Sequence, residues 1–170
     1  MSSDKISVLF VCLGNICRST MAEGVFQSVA GKAPYKDLIE EIDSCGTAAY
    51  HVGSPPDHRT MATLKSNGVT DYRHRGRQLQ KADFDRFDYI FAMDESNLSD
   101  IRNLQRSKKG SKAQVMLWGR YAGGDRRGGR DEVVEDPYYG GTEGFDVAYE
   151  QCARFTANFL KETFPDVKAE

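Results

Sequence analysis

A cysteine and an arginine with five residues between them stand in Cys12-Leu13-Gly14-Asn15-Ile16-Cys17-Arg18-Ser19, directly after the apolar run Ile6-Ser7-Val8-Leu9-Phe10-Val11. Placed where a strand turns into a helix, that spacing is the architecture of a phosphate trap. The backbone N–H groups of such a loop converge on one point, and the helix N-terminus adds partial positive charge there. Arg18 offers a planar fork of donors to two oxygens of a phosphoryl group. The same field favours Cys12 as a thiolate, an electron-rich sulfur aimed at phosphorus. Gly14 and Asn15 are residue types that tolerate positive φ, which a loop curling around an anion requires. Ser19 sets a hydroxyl beside the nucleophile and is also a good N-cap type. A cysteine at the end of a buried strand is more often a small hydrophobe than a nucleophile. Its company here points to chemistry, and to a phosphatase.

Expelling a phenolate or alkoxide requires a proton donor, and the loop contains none. One candidate is Asp136 in Val133-Val134-Glu135-Asp136-Pro137-Tyr138-Tyr139-Gly140-Gly141, where Pro137 stiffens the backbone and a glycine pair follows. Tyr138 and Tyr139 can form an aromatic wall for a flat substrate. The other candidate is Asp94 in Met93-Asp94-Glu95-Ser96-Asn97, at another expected strand end. The residues alone leave the two acids level.

Four short apolar runs, at residues 5–11, 39–44, 88–93 and 114–118, read as buried strands. Helical patterns separate them at residues 19–30, 58–67 and 95–104, and a long closing helix is expected at 144–164. Phe145, Ala148, Tyr149, Cys152, Phe155, Phe159 and Leu160 recur along that last stretch at helical spacing and read as core. Strands alternating with helices predict an open parallel α/β sheet with ligands off the strands' carboxyl ends, where Cys12 falls. Residues 46–57, with Tyr50, Gly53 and Pro55-Pro56, read as a rigid loop. Residues 120–135 read as an exposed excursion rich in glycine and arginine. The basic stretch 106–112 reads as a solvated turn, with recruitment of an anionic partner as the lesser alternative.

A chain of 170 residues is most simply one domain, residues 1–170, large enough to bury a core without staples. A net charge of −2 marks neither a nucleic-acid nor a membrane binder. No run approaches the ~20 apolar residues of a membrane span, and no secretory signal is visible. Four scattered cysteines make no disulfide framework and no clustered zinc ligand set. A reducing, cytoplasmic setting is expected, with no metal and no cofactor.

Cys12 through Ser19, Asp94-Glu95-Ser96-Asn97 and Asp136-Pro137-Tyr138-Tyr139 together resemble the low-molecular-weight protein tyrosine phosphatases, over nearly the whole chain. The resemblance implies a four-stranded parallel sheet of flavodoxin-like type flanked by helices. It also implies metal-free, two-step hydrolysis of phosphotyrosine proteins and small aryl phosphates through a cysteinyl-phosphate. Cys12 resembles the nucleophile and Arg18 the phosphate clamp. Asp136 resembles the acid of the first step and the base of the second, which chooses between the two carboxylates. Ser19 resembles the hydroxyl that stabilises the departing thiolate. Asn15 resembles the residue that holds the loop's shape through a network including Ser44 and His74. Leu13, Gly14 and Ile16 complete the cradle for phosphate or other oxyanions. Cys17 resembles the neighbour that forms a reversible disulfide with the nucleophile under peroxide. Tyr50, Tyr138 and Tyr139 resemble the substrate-lining aromatics. A monomer is expected, with a weak homodimer as the alternative.

One departure is Thr20, where family members usually carry proline; proline there is favourable but dispensable. Three alternatives stand beside this reading. Arsenate reductases of the same fold relay oxidation through a further cysteine pair, a pattern that Cys45 and Cys152 do not fit. Protein arginine phosphatases resemble the chain closely, but carry threonine where it has Ile16. A non-catalytic phosphate-binding module would be expected to lack the nucleophile or the acid.

Overall fold

Strict alternation along the first strand sets the architecture. In β1, Ile6–Cys12, the residues Val8, Phe10 and Cys12 join one buried apolar cluster while Leu9 and Val11 join another. Side chains of period two on a strand buried on both faces require cover on both sides, the condition of a parallel α/β sheet. The computed structural model, which describes residues 5–123 and 131–168, shows this arrangement. β2 (Ile39–Gly46), β3 (Tyr89–Ala92) and β4 (Gln114–Leu117) complete a four-stranded sheet ordered β2-β1-β3-β4, every pairing parallel.

The first cluster lies under α1 (Arg18–Ala30), α2 (His58–Ser66) and α5 (Glu143–Thr163). Its centre is aromatic: Trp118 packs against Phe10 at 4.9 Å and Phe91 at 4.6 Å, and Phe26 against Phe159 at 5.8 Å between ring centroids. The second cluster lies under the short α3 (Asp83–Arg86) and α4 (Glu95–Arg106), with Phe84, Leu98 and Ile101 buried. Each such side chain contributes about 1.5–3 kcal/mol on full burial, so the strand ends carrying the site rest on a stiff base.

The expected strands and helices are present with ends shifted by one or two residues. Every residue of the expected α5 stripe is buried except Tyr149, which packs partly exposed against the core. Helix α3 and two 3-10 turns, Lys36–Leu38 and Trp118–Tyr121, carry too little periodicity to be read from sequence. The expected excursion falls in part at 124–130, outside the described residues. Its described end is not loose: Val134 is buried, and its N–H donates to the Met93 carbonyl at 2.8 Å. In the basic turn, Lys108 pairs with Asp85 at 2.9 Å and Lys112 with Asp88 at 3.5 Å, as a solvated turn would. Among the described residues no helix is long and apolar enough to cross a membrane.

Candidate active site

From β1 the chain crosses to β2 on one side and later to β3 on the other, so the carboxyl end of β1 is the sheet's topological switch point. Cys12 is the last residue of that strand, and α1 begins six residues later at Arg18. The intervening turn needs one residue in the left-handed region, and Asn15 takes it with φ of 58°. Asparagine tolerates this better than most residues because its short polar side chain bonds locally. Gly14, expected to share that role, does not have positive φ; a Cβ there would stand 3.0 Å from the His51 ring, so close approach explains it. Gly46 ends β2 beneath the loop, where a Cβ would come within 2.7 Å of the Leu13 carbonyl oxygen.

Ser19 does not cap α1, although its type suits that position. Cys17 occupies the N-cap without a side-chain bond, and Ser19 is buried in the first turn. Its hydroxyl serves the sulfur instead. Asn15 Nδ2 donates to Ser19 Oγ at 2.8 Å, which leaves the hydroxyl proton for Cys12 Sγ at 3.1 Å. The Asn15 backbone N–H also donates to Cys12 Sγ, at 3.2 Å. Two donors are thus aimed at one sulfur. Thr20, standing where the family usually has proline, places its hydroxyl 2.8 Å from the Ile16 carbonyl and 3.0 Å from that of Cys17, securing the same turn.

Beneath the loop lies a buried polar network. Asn15 Nδ2 also donates to Ser44 Oγ at 3.0 Å, and Asn15 Oδ1 accepts from the Arg77 N–H at 3.1 Å. With Oδ1 thereby an acceptor, His74 Nε2, 2.7 Å away, must be its donor. Ser44 and Tyr72 both donate to Glu23 Oε1 at 2.6 Å. His74 Nδ1 faces that oxygen at 3.3 Å and Asp43 Oδ1 at 3.6 Å. A lone pair facing a carboxylate is repulsive, so a proton must lie between His74 and Glu23. Burial supplies the reason, pushing Glu23 up to about 7 and the His74 imidazole down from its usual value. Glu23, Asp43 and His74 bring ligand-type atoms within 4.8 Å of one another, but Ser44, Tyr72 and Asn15 already engage this set.

Over the loop, Arg18 is buried and committed. Its Nη1 donates to Asp94 Oδ2 at 2.6 Å and to the Val134 carbonyl at 3.1 Å, while Nη2 lies 3.8 Å from Asp136 Oδ2. Asp94 Oδ1 caps α4 by accepting from the Asn97 N–H at 2.8 Å. Both oxygens of Asp94 are therefore engaged, which suits it to orient Arg18 and not to donate a proton. Asp136 has one oxygen engaged: Oδ1 accepts from the Tyr138 N–H at 3.0 Å, so Oδ2 is the oxygen turned toward Arg18.

A cleft of about 360 Å³ joins Cys12, Leu13, Gly14, Ile16, Cys17 and Arg18 to Tyr50, Asp136, Tyr138 and Tyr139. The structure thus brings the expected cradle, acid and aromatics to one opening, with Ser19 behind the sulfur and Asn15, Ser44 and His74 beneath. Tyr138 and Tyr139 meet edge to face at 4.9 Å. Cys17 is buried, and burial together with the negative charge of Asp57 pushes its thiol up to about 12, so it stays neutral. His51 also lines the cleft, while Glu23, Tyr72 and Arg77 belong to the network beneath the loop. Sequence reasoning missed these four because the contacts that bring them to the loop, His51 near Gly14, Tyr72 with Glu23 and Arg77 with Asn15, join distant parts of the chain. Cys45 and Cys152 are buried in different clusters and do not form a pair.

A thiol with two donors, seated at the switch point of a parallel sheet beneath a buried arginine, defines a cysteine-dependent phosphate-ester hydrolase. The sequence profile described as low molecular weight phosphotyrosine protein phosphatase matches residues 7–169. A protein of that name from Schizosaccharomyces pombe is 54% identical over 157 residues, which are 92% of this chain and 96% of the relative. The protein tyrosine phosphatase from Entamoeba histolytica has a similar structure, with a TM-score of 0.82 at 32% identity, covering 96% of this chain and 100% of that one. Drosophila arginine phosphatase matches with a TM-score of 0.80 at 38% identity, over 92% of this chain and 96% of that one. The chain belongs to the low molecular weight phosphotyrosine protein phosphatase family.

Proposed function

We propose that this protein hydrolyses phosphotyrosine in proteins, and small aryl phosphates, through a cysteinyl-phosphate. The observation that carries the reading is the Cys12 sulfur receiving the Asn15 N–H and the Ser19 hydroxyl in the cleft that Arg18 and Asp136 also line. The Cys12 thiolate attacks phosphorus while the bond to the aryl oxygen breaks, and Asp136 Oδ2 passes its proton to the departing phenolate. Arg18 and the loop N–H groups stabilise charge on the oxygens in flight. In the second step Asp136, now a carboxylate, takes a proton from water as that water attacks phosphorus. The Cys12 sulfur leaves as a thiolate, held by the Ser19 hydroxyl, and inorganic phosphate departs.

Likeness alone does not choose between aryl phosphate and phosphoarginine, since an arginine phosphatase is among the similar structures. The cleft favours the aryl group: Ile16 lines it where arginine phosphatases carry threonine, together with Tyr50, Tyr138 and Tyr139. A single domain acting as a cytoplasmic monomer completes the reading, supported by one sheet carrying both clusters and by four free thiols. The test is release of phosphate from p-nitrophenyl phosphate with and without a metal chelator. Cys12→Ser should abolish turnover while retaining competitive phosphate binding, because the cradle and Arg18 persist. Residual turnover in that variant, or faster release from phosphoarginine than from phosphotyrosine peptides, would overturn the assignment.

A further inference from the structure

Asp136 hangs between two anchors. Upstream, Val134 is tied to the end of β3 through the Met93 carbonyl. Downstream, the Tyr138 N–H holds Asp136 Oδ1, so whatever fixes Tyr138 fixes the carboxylate. Among the described residues the side chain that reaches that backbone is Arg59: its Nη1 donates to the Tyr138 carbonyl at 3.0 Å. The same guanidinium lies over the Tyr138 ring at 5.2 Å and the Phe145 ring at 4.7 Å. Asp57, which caps α2, grips it from behind through Nε and Nη2, each at 3.0 Å. Asp57 has a second attachment, because its N–H donates to the Ile16 carbonyl in the phosphate loop at 2.8 Å. One turn of chain thus touches both halves of the cleft.

We propose that Asp57 and Arg59 form a strut that sets the position of Asp136 relative to the cysteine loop, making Arg59 a positioning residue for proton transfer. The inference rests on Asp136 being the proton donor. With its charge matched by Asp57, Arg59 acts chiefly through geometry: a planar fork clamped on one edge leaves the other edge at a defined place. Lysine has no second edge and cannot bridge. Loss of the bridge lets the segment carrying Asp136 swing, and misplacement of about 1 Å can cost on the order of 10²-fold in a proton-transfer step.

The experiment measures cysteinyl-phosphate formation in single turnovers, using p-nitrophenyl phosphate and phenyl phosphate, for Arg59→Met, Arg59→Lys and each combined with Asp136→Asn. Methionine keeps the apolar contact with Phe145, and lysine keeps the charge if methionine prevents folding. Both variants should slow about 10–100-fold on phenyl phosphate and about threefold or less on p-nitrophenyl phosphate. Competitive phosphate inhibition should stay within about twofold, since the cradle is untouched. In the Asp136→Asn background either change should cost nothing further, because the acid being positioned is gone. Equal losses on both substrates, weakened phosphate binding, or full additivity with Asp136→Asn would overturn the strut. If Asp136→Asn alone shows no preference for leaving group, the acid assignment fails. A selective Asp136→Asn with unselective Arg59 variants means the strut alone fails.

Discussion

The two halves of the cleft are built differently. The cysteine loop is pinned from below: Cys12, Asn15, Arg18 and Ser19 are all buried, and Asn15 alone bonds Ser19, Ser44, His74 and Arg77. The acid segment is pinned at its ends and open between them. The Asp136 side chain is 39% exposed against 4% for Arg18, and Tyr139 is almost wholly exposed. A cradle that must meet charge on three oxygens gains from preorganisation, since its dipoles then need no rearrangement as charge develops. A group that must serve as acid in one step and base in the next has to meet a leaving group and then a water. The proposed mechanism therefore puts affinity for phosphate and discrimination among leaving groups in separate structural units.

Asp136→Asn is the strongest way to break that division. General acid catalysis supplies about 10²–10⁴-fold, so formation of the cysteinyl-phosphate from phenyl phosphate should fall by that order. p-Nitrophenyl phosphate, whose leaving group hardly needs a proton, should lose far less, and phosphate inhibition should be unchanged. Equal losses would return Asp136 to a loop-shaping role. Arg18→Lys is the counterpart on the cradle side. Removing one preorganised donor costs about 10²–10³-fold, and here the loss should be similar for both substrates and accompanied by weaker phosphate inhibition. A selective loss in that variant would mean that the two halves are not separable.

Much of this site was legible in the sequence for a simple reason. Cys12 to Ser19 are contiguous, so spacing alone fixes a loop between strand and helix. The positive φ of Asn15 follows from its residue type. The choice between Asp94 and Asp136 was not legible from residues alone, since both end up near Arg18; what differs is that both oxygens of Asp94 are hydrogen-bonded and only one of Asp136 is. Glu23 was invisible for a different reason. It is a single acid in an apolar helix, between Ala22 and Gly24, and its partners Ser44, Tyr72 and His74 arrive from other parts of the chain. The Arg59 link to Tyr138 spans 79 positions and leaves no periodic or compositional trace.

The smallest expected effect lies in the network beneath the loop, where Glu23→Gln tests whether a proton is stored. Glutamine copies the protonated acid in size and neutrality, and with its oxygen in the place of Oε1 it still accepts from Ser44 and Tyr72. Burial raises Glu23 in the folded chain from 4.5 to about 7, so the folded state binds the extra proton between those values. Stability from this group is therefore full below 4.5 and is lost as pH rises toward 7. His74, held below its usual value by burial, works in the opposite sense, gaining stability as pH climbs to 6.5, but it is present in both chains. The wild type should thus lose stability relative to Glu23→Gln across pH 4.5 to 7, by roughly 3 kcal/mol, since a tenfold difference in proton affinity is worth about 1.4 kcal/mol. Urea denaturation at half-unit steps of pH reads the gap directly. The variant should pull ahead as pH rises, with turnover at pH 5.5 within about twofold because the cradle keeps its contacts. A gap that does not change with pH would mean that Glu23 is ionised throughout, and that the cysteine loop rests on a fixed ion pair instead of a shared proton.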